Sequence, residues 1–282
     1  MAVVDRSRGA RLGALARYTA LGVAAALFLV PFYLLFRNAL MTEAELTSPT
    51  WHLLPSWRWE NFTLLFSDPA VPMARSLLNS LAIAITQTLG VLVVSGLAGY
   101  GLARIPYRWS NLVFYAVTAS LLIPAAVTFV PSFVLVSSLG WVSTLRGLII
   151  PGLFQALATF LFRQFYLGFP KEIEEAAFID GLGYWGTFWR VVVPNSGGFA
   201  AAIATITFIG SWNAFLWPLV IAQDSEAWTV QIALSTFLTA QSVDLAELFV
   251  AAVVAILPLL LMFLFLQRWI VEGVERTGIA GD

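Results

Sequence analysis

The sequence has no cysteine, so it can form neither a disulfide nor a thiolate metal site. Its single histidine, His52, excludes a histidine-based zinc site and argues against a Ser-His triad. Charge is scarce too: 11% of the 282 residues are Asp, Glu, Lys or Arg, against about 25% in soluble domains. The 15 basic and 16 acidic residues nearly cancel, which leaves no basic face for nucleic acid. No Gly-x-x-x-x-Gly-Lys-Ser/Thr run occurs, so the chain has no P-loop with which to bind ATP. What the sequence does have is apolar residues, 60% of the total, and a mean hydropathy of +0.85. A soluble protein of this length cannot bury that much apolar surface. The composition is that of a polytopic membrane protein.

A membrane-crossing helix needs about 20 predominantly apolar residues. Stretches free of charge at their centres predict six spans: Tyr18–Phe36, Ser76–Ala103, about Asn111–Val136, Gly147–Leu167, Asn195–Ile221 and Ala246–Ile270. Arg163 lies near the end of the fourth, placed to snorkel. The third contains Pro124 and Pro131 and ends at a Ser-Ser-Leu-Gly turn signal. This divides the chain into an N-terminal segment 1–17, a first span, an external loop 37–75, a core of five spans over 76–270, and a tail 271–282. Tyr18–Phe36 is longer than a signal-peptide core and lacks a small-x-small cleavage site, so it reads as a retained span. Basic residues set the orientation. Arg6, Arg8, Arg11, Arg17, Arg104, Arg108, Arg163, Lys171, Arg190, Arg268 and Arg276 fall on the side of the N-terminus; Arg37, Arg58, Arg75 and Arg146 fall on the other. Both termini are therefore expected in the cytoplasm.

Two external segments stand out. Asn38–Met73 is rich in Trp and Pro and reads either as a folded cap or as an interfacial belt. Gln223–Asp244 has a polar middle, Ala227–Val243, which predicts a surface or partly re-entrant helix and not a seventh span. Gly96, Gly99 and Gly101 are expected to allow close helix packing.

The densest cluster of charge and large apolar side chains lies between the fourth and fifth spans, over 168–194. Pro170 opens a helix whose first turn is acidic, as the helix dipole favours. Asp180-Gly181 signals a stop and a turn, and a second short helix runs from about Tyr184 until Pro194 ends it. Ile173, Ala176, Ala177 and Asp180 share one side of the first helix at i, i+3, i+4, i+7 spacing, with Glu175 beside them. Phe178, Tyr184, Trp185, Phe188 and Trp189 are too many large apolar groups for a loop that meets only water, and point to a docking surface.

Within it stand Glu175-Ala176-Ala177, three residues, Gly181, nine residues, and Val191-Val192-Val193-Pro194. This resembles the Glu-Ala-Ala (EAA) signature loop of permease subunits of binding-protein-dependent ATP-driven importers, with Val in place of the usual Ile and Leu. Phe160–Phe165, Ala177–Gly181, Ser211–Leu219 and Phe265–Arg268 are similar to the carbohydrate-uptake branch, and in particular to the maltose-type second permease subunit (MalG-like), over roughly Arg75–Gly273. The resemblance implies the all-α type I importer (MetI-like) permease fold. It also implies a chain that is not an enzyme and binds no cofactor or metal itself, with ATP and Mg on two separate ATPase subunits. Further partners would be a second permease (MalF-like), an external substrate-binding protein and the lipid bilayer. The loop would be the coupling helix, contacting the ATPase through Glu174, Glu175, Ala176, Ala177, Phe178, Asp180, Gly181 and Tyr184. Glu175 would meet a basic residue there and Gly181 would make the turn. Gly273–Asp282 departs from the family's tail in its glycine spacing and lacks its lysine, so insertion of the tail into the ATPase does not carry over.

A secondary transporter usually holds an ionisable group at mid-membrane; none of the six spans has one at its centre. A membrane-embedded enzyme lacks paired carboxylates or metal ligands within the spans. Neutral groups suited to an uncharged polyol are present instead: Asn79, Gln87, Gln155 and Asn213, with Trp212, Phe215 and Trp217 as an aromatic strip. The same residues also suit plain helix packing. Sugar and glycerol-phosphate importers share these motifs.

Overall fold

The computed structural model describes residues 6–238 and 244–278, with side chains over 13–238 and 244–268. In chain order its helices are α1 (Arg6–Ala39), α2 (Glu43–Leu46), α3 (Glu60–Ser67), α4 (Met73–Arg104), α5 (Ser110–Ser120), α6 (Ala125–Ser138), α7 (Leu145–Ile149) and α8 (Ala156–Leu167). There follow α9 (Lys171–Ile179), α10 (Tyr184–Thr187), α11 (Val193–Asn195), α12 (Gly197–Trp212), α13 (Leu216–Ile221), α14 (Val230–Thr236) and α15 (Leu245–Gly278). The described residues form no strand element.

Four stretches are long and apolar enough to cross a membrane: Gly13–Ala39, Met73–Arg104, Leu145–Leu167 and Leu245–Arg268. Two bent helix pairs raise the number to 6 if each counts as one span. The expected third span is therefore not a single rod. α5 and α6 meet at 98°, because Pro124 lacks an amide and drives the preceding residue away from helix. The expected fifth span also ends early: α12 stops at Trp212, residues 213–215 leave the helix, and the 6-residue α13 follows. The fourth is interrupted by a tight 3₁₀ turn at Ile150–Gly152 before α8 begins. The helix that holds the first starts at Arg6, and its apolar stretch runs over Gly13–Ala39.

The described chain divides into two compact units. One gathers the residues up to Asp68 with Phe237–Val254. Its segment after α1 folds on itself: Leu40, Met41 and Leu65 are fully enclosed, and Asn61 Nδ2 donates to the carbonyls of Ala39 and Met41 at 3.0 and 2.9 Å. Thr42 and Glu45 form a reciprocal capping box at the start of α2. The Thr42 amide and the Ser56 hydroxyl, both donating to Glu45, hold its carboxyl below the usual range. Trp51, Trp57 and Trp59 nevertheless stay exposed, with the Arg37 guanidinium 5.1 Å above the Trp51 ring. The apolar stretch of α1, Gly13–Ala39, is long and apolar enough to cross a membrane.

The other unit gathers Pro69–Thr236 with the last helix from Ala255 onward. α4 is its axis, and α8 and α12 pack along it. The approach is closest at Gly99, where a Cβ would stand 2.7 Å from Phe162 Cβ and 2.9 Å from the Arg163 amide nitrogen. Gly96 makes ordinary contacts and Gly101 faces open space, so one of the three expected packing glycines fills that role. Towards the EAA loop the core is aromatic: Tyr100, Phe162, Tyr166, Phe169 and Phe188 enclose one another. A second cluster joins Ile83, Val136, Leu148 and Ile221 to Ala227 and Ile232. The segment after α13 folds as a short 3₁₀ turn, Ser225–Ala227, and α14, whose Val230, Ile232 and Ala233 are buried. The part of the expected surface helix over 239–243, and the final residues 279–282 of the expected tail, lie outside the described residues.

Candidate functional site

The segment 168–194 folds as a hairpin of two short helical arms. Pro170, at φ −57° and ψ 121°, delivers the chain into α9, whose first turn carries Glu172 and Glu174. α9 ends at Asp180, and Gly181 follows at φ +84°. The Gly181 amide bonds to the Phe178 carbonyl and the Leu182 amide to the Ala177 carbonyl, both at 3.0 Å. This is a Schellman turn, which satisfies the last carbonyls of the helix and calls for glycine at the left-handed position.

The returning arm does not end at Pro194 as expected. It runs from α10 through a π-helical turn, Phe188–Val192, into α11, and the break comes at Ser196, where α12 departs at 79°. In the wider turn the Val193 amide reaches back to the Phe188 carbonyl. Pro194 offers no amide of its own, and the side chains next to it supply donors instead. Asn195 Nδ2 donates to the Val191 carbonyl at 2.7 Å and Ser196 Oγ to the Val192 carbonyl at 2.6 Å.

The expected strip Ile173, Ala176, Ala177, Asp180 is not the packed side of α9. Glu174 and Ala177, at i and i+3, face inward, whereas Ile173, Ala176 and Asp180 are exposed. The Glu174 carboxylate accepts from Arg104 Nε at 3.0 Å, with both side chains at most 7% exposed. The same guanidinium donates to the Phe169 carbonyl. Burial pushes the Glu174 carboxyl above the ordinary range, and the charge of Arg104 opposes that shift. Of the residues expected to contact an ATPase, Glu174 and Ala177 are therefore turned into their own chain. Glu175, Ala176, Phe178, Asp180, Gly181 and Tyr184 remain on the surface. With them stand Ile179, 86% exposed, and Trp185, 66% exposed, two outward groups that complete an apolar face. Phe178 packs edge-on against Tyr184, and Trp185 against Trp189, so the face is preformed. Sequence reasoning missed Arg104 as a partner of the hairpin; its one signal is that it is a lone basic residue ending a long apolar helix.

The expected pathway residues divide in the same manner. Asn79 Nδ2 donates to the carbonyls of Glu226 and Trp228, both at 2.9 Å. Gln87 Nε2 donates to the Leu148 carbonyl at 2.9 Å, and its Oε1 accepts from Ser211 Oγ at 2.6 Å. Trp212 is 1% exposed, stacked on Phe208, and donates to the Ala255 carbonyl at 3.1 Å. Trp217 donates to the Gly147 carbonyl at 3.0 Å. All four hold elements together; Trp212 is enclosed, while Asn79, Gln87 and Trp217 are half-buried. Asn213 and Phe215 are exposed at the break after α12, where Gln231 Nε2 reaches Asn213 Oδ1 at 3.3 Å, and Gln155 is half-buried at the start of α8.

The long helices are apolar enough to cross a membrane, and the hairpin presents exposed apolar side chains. The chain belongs to the family of binding-protein-dependent transport system inner membrane components, whose pattern matches residues 92–276. It is 36% identical over 203 residues to the arabinooligosaccharides transport system permease protein AraQ of Halalkalibacterium halodurans, covering 72% of this chain and 73% of that one. The AraQ of Bacillus subtilis is 30% identical over 258 residues, 90% of this chain and 92% of the relative. The sn-glycerol-3-phosphate transport system permease protein UgpE of Yersinia pestis is 31% identical over 254 residues, 88% and 90%. Among solved structures, a bacterial ABC transporter involved in import of the acidic polysaccharide alginate matches with a TM-score of 0.78 at 20% identity. The match covers 95% of this chain and 99% of that one and shows a shared fold. The chain is thus a multi-pass inner-membrane permease component of an importer.

Proposed function

We propose that this chain forms half of the translocation pathway of an ATP-driven sugar importer, with the bent pair α5–α6 as its third span, α12 and α13 in its fifth, and both termini in the cytoplasm. The other half would be a second permease (MalF-like). Two ATPase subunits would hold ATP and Mg, and an external binding protein would deliver the cargo. The observation that carries this reading is the hairpin's exposed apolar face around Glu175 and Tyr184. Chain that meets only water does not maintain such a face, and the Schellman turn and the packed rings hold it in one shape. Sugar is favoured as cargo because two of the relatives are named for arabino-oligosaccharides and because the polar groups beside the break after α12, the exposed Asn213 and the half-buried Gln231, are neutral hydrogen-bonding amides.

The tagged chain, purified in mild detergent from its native membranes, should bring with it a second permease and a subunit carrying a P-loop. In liposomes that complex, given its binding protein, should take up arabino-oligosaccharide only when ATP is present. Uptake of sn-glycerol 3-phosphate in place of sugar would reassign the cargo. Movement of either solute by the isolated chain without ATP would overturn the importer reading.

A further inference from the structure

Resting on that reading, we propose that Arg104 and Glu174 are positioning residues that fasten the coupling hairpin to α4, and that α4 carries the hairpin's displacement to the external turn at 224–230. Both ends of one helix are tied to the elements it would link. At the inner end, the last residue of α4 places its guanidinium between the Glu174 carboxylate and the Phe169 carbonyl. One side chain thereby grips both the entry to the hairpin and its first arm. The grip is enclosed, which excludes the competing water that makes an exposed pair slack. Truncating one partner leaves the other charge buried and unpaired, so the pair is not dispensable once formed.

The outer end of α4 is tied by Asn79, which bonds two carbonyls of the external turn, and by Ser80 Oγ, which accepts the Val230 amide at 2.8 Å; the exposed Arg75–Glu226 pair at 3.2 Å adds little to the tie. Between the two ends α4 is a continuous helix of 32 residues without an internal proline. Its contact with α8 at Gly99 is backbone-close, which resists local bending. Sideways force on the hairpin therefore has a stiff member to act through, and the first structure it meets at the far end is the turn centred on Glu226.

The cysteine-free sequence supplies the test. Ser225→Cys, exposed on the external turn, is labelled with a membrane-impermeant maleimide in the complete complex in proteoliposomes, with and without ATP plus vanadate. The parent should change its labelling rate several-fold on trapping. With Glu174→Gln added, the ATPase should still co-purify and hydrolyse ATP, while the labelling rate no longer responds and sugar moved per ATP falls. A merely structural role would lower the amount of complex and leave the response per complex unchanged; that result overturns the proposal, as does an unaltered response. If Glu174→Gln does not accumulate, the paired Arg104→Met, Glu174→Met exchange leaves no lone buried charge and is measured in its place: loss of the labelling response supports the proposal, and a preserved response overturns it. A parent chain that holds no ATPase would instead remove the importer reading beneath both.

Discussion

Glu174 and Glu175 are neighbours in sequence with opposite fates, and substitutions separate them. Glu175 is on the surface of α9, so Glu175→Lys should leave the subunit in the membrane at near-parent amounts. Opposed to a cation on the ATPase it should abolish uptake and substrate-stimulated ATP hydrolysis, a like-charge penalty of several kcal/mol at an interface. ATP hydrolysis at the parent rate would refute that contact. Trp212 makes the opposite case. It is enclosed, stacked and hydrogen-bonded to Ala255, so Trp212→Ala should cost about 3–5 kcal/mol of packing. Thermal unfolding in detergent would register this as a lowered Tm, while Trp212→Phe keeps the parent's cargo preference. A changed preference with unchanged stability would return Trp212 to the pathway. From a single sequence the two roles look alike, because Trp, Asn and Gln serve both solutes and backbone carbonyls. What distinguishes them is whether an acceptor lies within reach, and for Asn79, Gln87 and Trp217 that acceptor comes from a segment far along the chain.

At the scale of elements, the turn of the hairpin was legible because its chemistry is local. An acidic first turn, a stop at Asp180 and a glycine beyond it specify a Schellman ending without help from the rest of the fold. The packed face of α9 was not legible. Its apolar residues suggested one side, yet the partner waiting beneath is Arg104, and a buried carboxylate went where its counter-charge was. The course of the second arm was also hidden: a proline usually stops a helix, and the π turn with the Asn195 and Ser196 side chains lets the chain pass it. The α4–α8 contact yields a sharper expectation. Gly99→Leu would drive side-chain carbons into backbone, so overpacking of about 1–3 kcal/mol should lower the detergent Tm. Gly101→Leu, facing open space, should change it little. Equal effects at both positions would mean that the close approach does not exist in the membrane.

For the molecule as a whole, the expected first, second, fourth and sixth spans fall on helical stretches long and apolar enough to cross a membrane, whereas the continuity of the third was overstated, since composition does not register a 98° bend. Orientation is tested with single cysteines: positions 52 and 226 should react with an external, impermeant thiol reagent in intact cells, and positions 172 and 275 only after lysis. External labelling of the latter two would invert the topology. The length of α4 has one more consequence. Its 32 residues span about 48 Å at 1.5 Å each, against roughly 30 Å of hydrocarbon. Even tilted by about 40°, the upper end of what spanning helices show, it still covers more than the hydrocarbon thickness. Arg75 and Arg104 can then both stay among headgroups or water throughout a rocking stroke, so neither charge has to be dragged through oil when the helix swings. Bilayer thickness should accordingly do little to slow that motion.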